Sequence, residues 1–140
     1  MQPSERIFVA LDLTDVHLAI ELSSCLLGAI GGVKIGKEFF TANGLSGVQE
    51  IANLGMPIFL DLKFHDIPNT VAGAIRAATA INPFIMNVHL LGGRSMLKLA
   101  SETFKKNNVS NSLLVGVTIL TSLEDQDLNE IGIKGPVEEQ

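Results

Sequence analysis

Residues 57–63 read PIFLDLK, an apolar run that ends in opposite charges. Its apolar residues do not alternate cleanly with polar ones, which is how a strand of a parallel sheet reads when both faces are covered. Four more runs of the same kind occur: RIFVALD (6–12), GVKIG (32–36), FIMNVHL (84–90) and SLLVGVTIL (112–120). The starts of the five runs fall 25 to 28 residues apart. That spacing fits one strand, one helix and two short loops per unit.

The intervening stretches carry helical periodicity. After a cap at Thr14 or Asp15, a helix from Val16 places Ala19, Ile20, Leu22, Leu26 and Leu27 on one stripe. From Leu45, the stripe is Val48, Ile51 and Ala52, with Gly55 as the stop. Pro68 suits a first helical turn before Val71, Ala74, Ile75 and Ala78. Met96, Leu97, Ala100 and Phe104 form a fourth stripe, and a fifth helix begins near Leu123. Alternating strand and helix predicts an α/β fold with a parallel sheet and right-handed crossovers. Two architectures compete. A doubly wound, flavodoxin-like sheet of five strands nearly fits 140 residues. A (β/α)8 barrel takes eight such units, typically about 250 residues.

The composition excludes several classes. Hydrophobic residues make up 46% and charged residues 18%, so the chain is neither disordered nor a charged tail. A net charge of −5 argues against broad binding to nucleic acid. A single cysteine rules out a disulfide framework and suits a reducing compartment such as the cytoplasm. No apolar run approaches the roughly 18–20 residues of a membrane span, and MQPSERIF carries no signal-peptide pattern.

In either architecture, chemistry sits at the C-terminal ends of the strands. There the five runs offer Asp12, then Lys34, then Asp61 and Lys63 with Asp66 just beyond, then Asn87 and His89, then Thr118, Thr121 and Ser122. Asp61 and Lys63 are two apart, so both point to one face of their strand. A lysine between two carboxylates has its charged form favoured. Adding Lys34 gives an alternating Lys–Asp–Lys–Asp set, a preorganised electrostatic site. D-x-K-x-x-D alone is common in solvated loops; its place at the end of an apolar strand gives it weight.

FLDLKFHDIPNT (59–70) closely resembles the signature of the orotidine 5′-phosphate decarboxylase family. VALDL (9–13), VKIGKEFF (33–40), NVHLLGG (87–93) and VTILTS (117–122) resemble that family too, in the same order and spacing. The resemblance implies a (β/α)8 TIM barrel working as a homodimer with neither metal nor organic cofactor. It implies the loss of CO2 from orotidine 5′-phosphate to give uridine 5′-phosphate, the last step of pyrimidine synthesis. Lys63 matches the proton donor, and Asp61 the carboxylate beside the substrate's own. Asp66 matches an acid entering the neighbouring subunit's site, with Ile67 and Thr70 beside it. Lys34 matches the second lysine, Asp12 a ribose-side contact and Thr121 a contact to the pyrimidine.

Against eight units, residues 1–140 read as a single, incomplete barrel domain comprising strands 1–5. The family's phosphate-gripping arginine lies beyond them, and after Arg94 the only cations are Lys98, Lys105, Lys106 and Lys134. A fragment or inactive remnant of that enzyme is therefore one alternative. A metal-dependent sugar-phosphate decarboxylase or aldolase of the same barrel group is another. Decarboxylases of that group place an acidic metal ligand at strand 2, where Lys34, a cation, cannot bind Mg2+. Among the remaining residues, His65 is expected at the rim and His89 as a hydrogen-bonded core histidine. Cys25, on the stripe of the first helix, is expected to be buried and inert.

Overall fold

The computed structural model describes residues 2–107 and 111–140. Its strands are β1 (Phe8–Ala10), β2 (Gly32–Ile35), β3 (Ile58–Phe64), β4 (Ile85–His89) and β5 (Leu113–Val117). Its helices are α1 (Val16–Leu26), α2 (Lys37–Ala52), α3 (Pro68–Thr79), α4 (Gly93–Lys106) and α5 (Asp125–Glu130). Four strands fall inside their apolar runs, and β3 runs one residue past its own, to Phe64. Asp15 caps α1 by accepting from the backbone N–H groups of His17 and Leu18, and Pro68 opens α3.

All neighbouring strands pair parallel, in the order β1-β2-β3-β4-β5. That order separates the two candidate architectures. A doubly wound sheet reverses its order at a switch point. Strands added in sequence through right-handed crossovers keep every helix on the same side. The molecule is thus a wall of five consecutive βα units, as in a (β/α)8 barrel.

Burial divides along the pleat. Val33, Ile35, Ile58, Leu60, Leu62, Met86 and Val88 point to the helices and form the core with Phe39, Val48, Ile51, Val71, Ile75, Met96 and Ala100. The alternate residues point to the other face. Near the strand starts this face is aromatic: Phe8 stacks on Phe84 with ring centroids 6.0 Å apart and meets Phe59 edge-on at 6.4 Å. Near the strand ends it is charged.

Three expectations change. The sheet is not covered on both faces, because no helix packs on the second face among the described residues; Leu113 is 51% and Val115 36% exposed there. Helix α2 begins at Lys37 rather than Leu45, and it is two helical segments meeting at Gly44, whose φ is 61° and ψ −165°. Cys25 is exposed, not buried. In α1 the buried positions are Ala19 and Ser23, so small residues face the sheet and α2, and Leu22, Cys25 and Leu27 turn outward.

Candidate active site

The site follows from strand geometry. Residues two apart on a strand share a face, so the face that carries Phe59 also carries Asp61. Lys34 on β2 pairs in register with Phe59, the residue two before Asp61 on the same face of β3, and its long side chain reaches forward to the carboxylate. Lys63 Nζ donates to Asp61 Oδ1 at 2.6 Å. Lys34 Nζ lies 3.5 Å from Asp61 Oδ2. One carboxylate thus sits between two ammonium groups, each oxygen facing one of them. Its side chain is 12% exposed, and a charge removed from water that far is tolerable because it is paired and hydrogen-bonded.

Burial by itself would raise the Asp61 carboxyl. Hydrogen bonds from Lys63 and Asn87, together with the charges of Lys63 and Lys34, outweigh it and hold the group below its ordinary value. Asp61 is therefore ionised at neutral pH.

Asp12 and Lys34 converge on Gly36: a Cβ there would lie 3.8 Å from Asp12 Oδ1 and 3.9 Å from Lys34 Nζ. Asp66 lies apart. Its Oδ1 accepts from the backbone N–H of Ile67 at 2.6 Å, and among the described residues it makes no ion pair with Lys63 or Lys34. Within one chain the expected four-member alternation is a three-member one. Asp66, Thr70 and Lys63 do line a common cavity of about 290 Å³. Ile67, beside Asp66, is 68% exposed. Thr121 is exposed in the turn after β5, with no hydrogen bond to the cluster among the described residues.

His89 is buried, and its Nδ1 accepts from the backbone N–H of Leu91 at 3.3 Å. Exposed His65 stacks on it, with ring centroids 5.1 Å apart. Burial lowers the His89 pKa, and the nearby positive charges of His65, Lys37 and Lys63 push the same way. Both histidines are where the sequence puts them. Asn87 is the residue the sequence underrates. It stands at a strand end on the inward face, two before His89, and its side chain bonds both Asp61 and Lys63.

Among the described residues, no group of three or more His, Cys, Asp or Glu could hold a metal ion. Among the same residues, no helix is long and apolar enough to cross a membrane. The cavity at the opposite end of the strands, about 490 Å³ beside Met56, Pro57, Phe84 and Ser112, has no ionisable side chain in its lining. What the strand ends provide is a fixed cation beside a fixed anion, on a face open to a ligand.

Residues 5–140 match the model of the family described as orotidine 5′-phosphate decarboxylase / HUMPS. The chain is 49% identical over 134 residues to the orotidine 5′-phosphate decarboxylase of Ehrlichia chaffeensis, covering 95% of this chain and 57% of that protein. It is 45% identical over 139 residues to that of Rhodospirillum rubrum, covering 96% and 56%. Among solved structures it resembles the orotidine 5′-phosphate decarboxylase of Lactobacillus acidophilus, with a TM-score of 0.81 and 37% identity over 95% of this chain and 62% of that one. An uncharacterized conserved protein from Geobacillus kaustophilus matches with a TM-score of 0.84 and 33% identity. The chain spans a little over half the length of the curated relatives it matches.

Proposed function

The chain belongs to the orotidine 5′-phosphate decarboxylase / HUMPS family, and from that premise we propose that its site decarboxylates orotidine 5′-phosphate to uridine 5′-phosphate, with Lys63 as the proton donor. The observation that carries this reading is the Lys63–Asp61–Lys34 cluster at the strand ends, with Lys63 Nζ 2.6 Å and Lys34 Nζ 3.5 Å from the one carboxylate.

The chemistry suits these residues. The bond between the ring carbon and the carboxylate breaks, CO2 leaves and the electron pair stays on the ring carbon. The Lys63 ammonium stabilises that charge as it develops and then donates a proton to it, so the two steps balance. A cation already locked beside Asp61 needs no reorganisation at that moment. Asp61 faces the substrate carboxylate and Lys34 completes the network. Asp12 contacts the ribose, Thr121 the pyrimidine, and Ile67 and Thr70 flank the site. Asp66 acts in the site of a second copy, in a homodimer, which accords with its exposed position apart from the lysines of its own chain. A cytoplasmic location accords with the single, unpaired cysteine. The reading requires neither metal nor organic cofactor. A metal-dependent reaction of the same barrel group is the weaker reading, because Lys34 puts positive charge against Asp61 where a cation would need an acidic ligand.

The test follows uridine 5′-phosphate formation by this chain with Lys63→Ala as control. The expected result is turnover that falls by about 10²- to 10⁴-fold in the variant, the range for loss of a positioned general acid. Turnover no greater than that of the variant removes the claim of activity and leaves family membership standing.

A further inference from the structure

The β3–β4 ladder is irregular where the site is built. Leu60 pairs with Met86 and Phe64 with Val88, so four residue steps on β3 span two on β4. Asp61, Leu62 and Lys63 together face the single residue Asn87. An irregularity of this kind bends a strand and re-aims its side chains. It also strands backbone groups that the ladder would have paired, and partly buried N–H groups need acceptors.

Asn87 supplies the missing partner. Its Oδ1 accepts from the backbone N–H of Lys63 at 2.7 Å. Its Nδ2 donates to Asp61 Oδ1 at 2.6 Å, the oxygen that also accepts from Lys63 Nζ. The three bonds close a ring through both ends of Lys63, the carboxylate and one amide. The ring also fixes which way the amide points. A backbone N–H can only donate and a carboxylate can only accept, so Oδ1 must face Lys63 and Nδ2 must face Asp61. Asn87 is 1% exposed, so it does this shielded from solvent although it stands on the open face.

Lys63 has φ = 50°, in the left-handed region that a residue with a side chain occupies only when its surroundings over-determine it. We propose that Asn87 is a positioning residue for the reaction: its amide staples the irregular segment of β3, holding the left-handed backbone of Lys63 and the orientation of Asp61 together, so that the ammonium is delivered to one place. The role as a positioning residue for decarboxylation rests on the function proposed above; the staple itself does not. Asn alone among residues of its size offers both the acceptor and the donor. Asp would oppose Asp61 with a second carboxylate, and Leu would offer neither group.

The test has one arm that needs no turnover. In the whole chain with Asn87→Leu, amide exchange at Lys63 accelerates by about tenfold or more, while Ile35 on β2 and Val33 beside it keep their protection. The Asp61 carboxyl, followed by 13C NMR, titrates at higher pH than in the unaltered chain. Asn87→Gln, which keeps both groups, recovers part of each effect. If Asn87→Leu does not fold, Asn87→Ser carries the same measurements, being polar but too short to bridge. In the second arm, with orotidine 5′-phosphate, Asn87→Leu lowers kcat by about 100-fold, as expected for a misplaced reacting group, and leaves KM little changed. Unaltered exchange at Lys63 together with an unmoved Asp61 titration overturns the staple. A rise in KM at constant kcat overturns its positioning role. A chain that makes no uridine 5′-phosphate at all, yet shows both NMR effects, keeps the staple and refutes the proposed activity instead.

Discussion

At the residue scale, the site is a carboxylate held ionised by what surrounds it, and this makes acid sensitivity a property of Asp61. Its folded pKa lies below the ordinary value of 3.8 because the bonds from Lys63 and Asn87 and the two lysine charges outweigh the effect of burial. In the unfolded chain the carboxyl returns to its ordinary value, so near and below that pH the unfolded state binds more protons. The stabilisation is therefore fully present above about pH 4 and is lost as pH falls through the folded pKa. Asp61→Asn cannot titrate, so the stability gap between the protein and this variant should narrow as pH drops from 6 toward roughly 2, measured by urea unfolding at each pH. A gap independent of pH would show that Asp61 is not the linked group. The positions of Lys34, Asp61 and Lys63 were legible in the sequence because a period of two assigns faces without any knowledge of neighbours. The work of Asn87 was not, since it depends on two extra residues in β3 that only the pairing with β4 makes visible. The isolation of Asp66 was not legible either, because the conformation of a loop does not follow from spacing.

At the scale of elements, the least regular helix is the informative one. Gly44 breaks α2 with φ 61° and ψ −165°, a conformation open essentially to glycine alone. Beside it, Asn43 Nδ2 donates to Thr14 O at 3.0 Å and to Phe39 O at 3.1 Å. The break is thereby tied to the loop after β1, the loop that carries Asp12. Gly44→Ala should destabilise the chain by about 1–3 kcal/mol through backbone strain, since an added Cβ meets nothing within 4 Å. Urea unfolding reads this directly, and a loss within about 0.5 kcal/mol, the range of ordinary surface changes, would mean that the turn relaxes. Apolar periodicity detected only the second segment, from Leu45. The first segment, Lys37 to Asn43, has few stripe residues, and its place is set by Phe39 in the core and by the Asn43 bonds. Likewise the α1 stripe included Ala19, which is buried, and Ile20 and Leu26, which pack against the core, but it counted the exposed Leu22 and Leu27 and passed over Ser23, which the helix buries.

At the scale of the whole molecule, strand order follows chain order, which the even repeat made legible although it could not by itself exclude an order reversal. The sheet has β1 and β5 as its edges, each with one side of its ladder unpaired among the described residues, and Leu113 and Val115 stand open on β5. Unpaired edges and exposed apolar surface favour association. Light scattering on the 140-residue chain should show a mass that rises with concentration; a concentration-independent monomer with cooperative unfolding would count against it. The lengthwise division of the open face, phenylalanine at one end and charge at the other, has a further consequence for pairing. A slip of one residue in β3 is forbidden by the pleat, since it would turn Leu60 and Leu62 away from the helices. A slip of two keeps every side chain on its own face, so alternation offers no defence against it. Here such a slip toward the strand starts would carry Asp61 in among Phe8 and Phe84, away from Lys34 and Asn87 on the neighbouring strands, with only Lys63 of its own strand moving along, and a buried carboxylate stripped of partners is disfavoured. The same charges that make the site therefore act as a key to the register, admitting one alignment of the central strand where hydrophobic patterning would accept several.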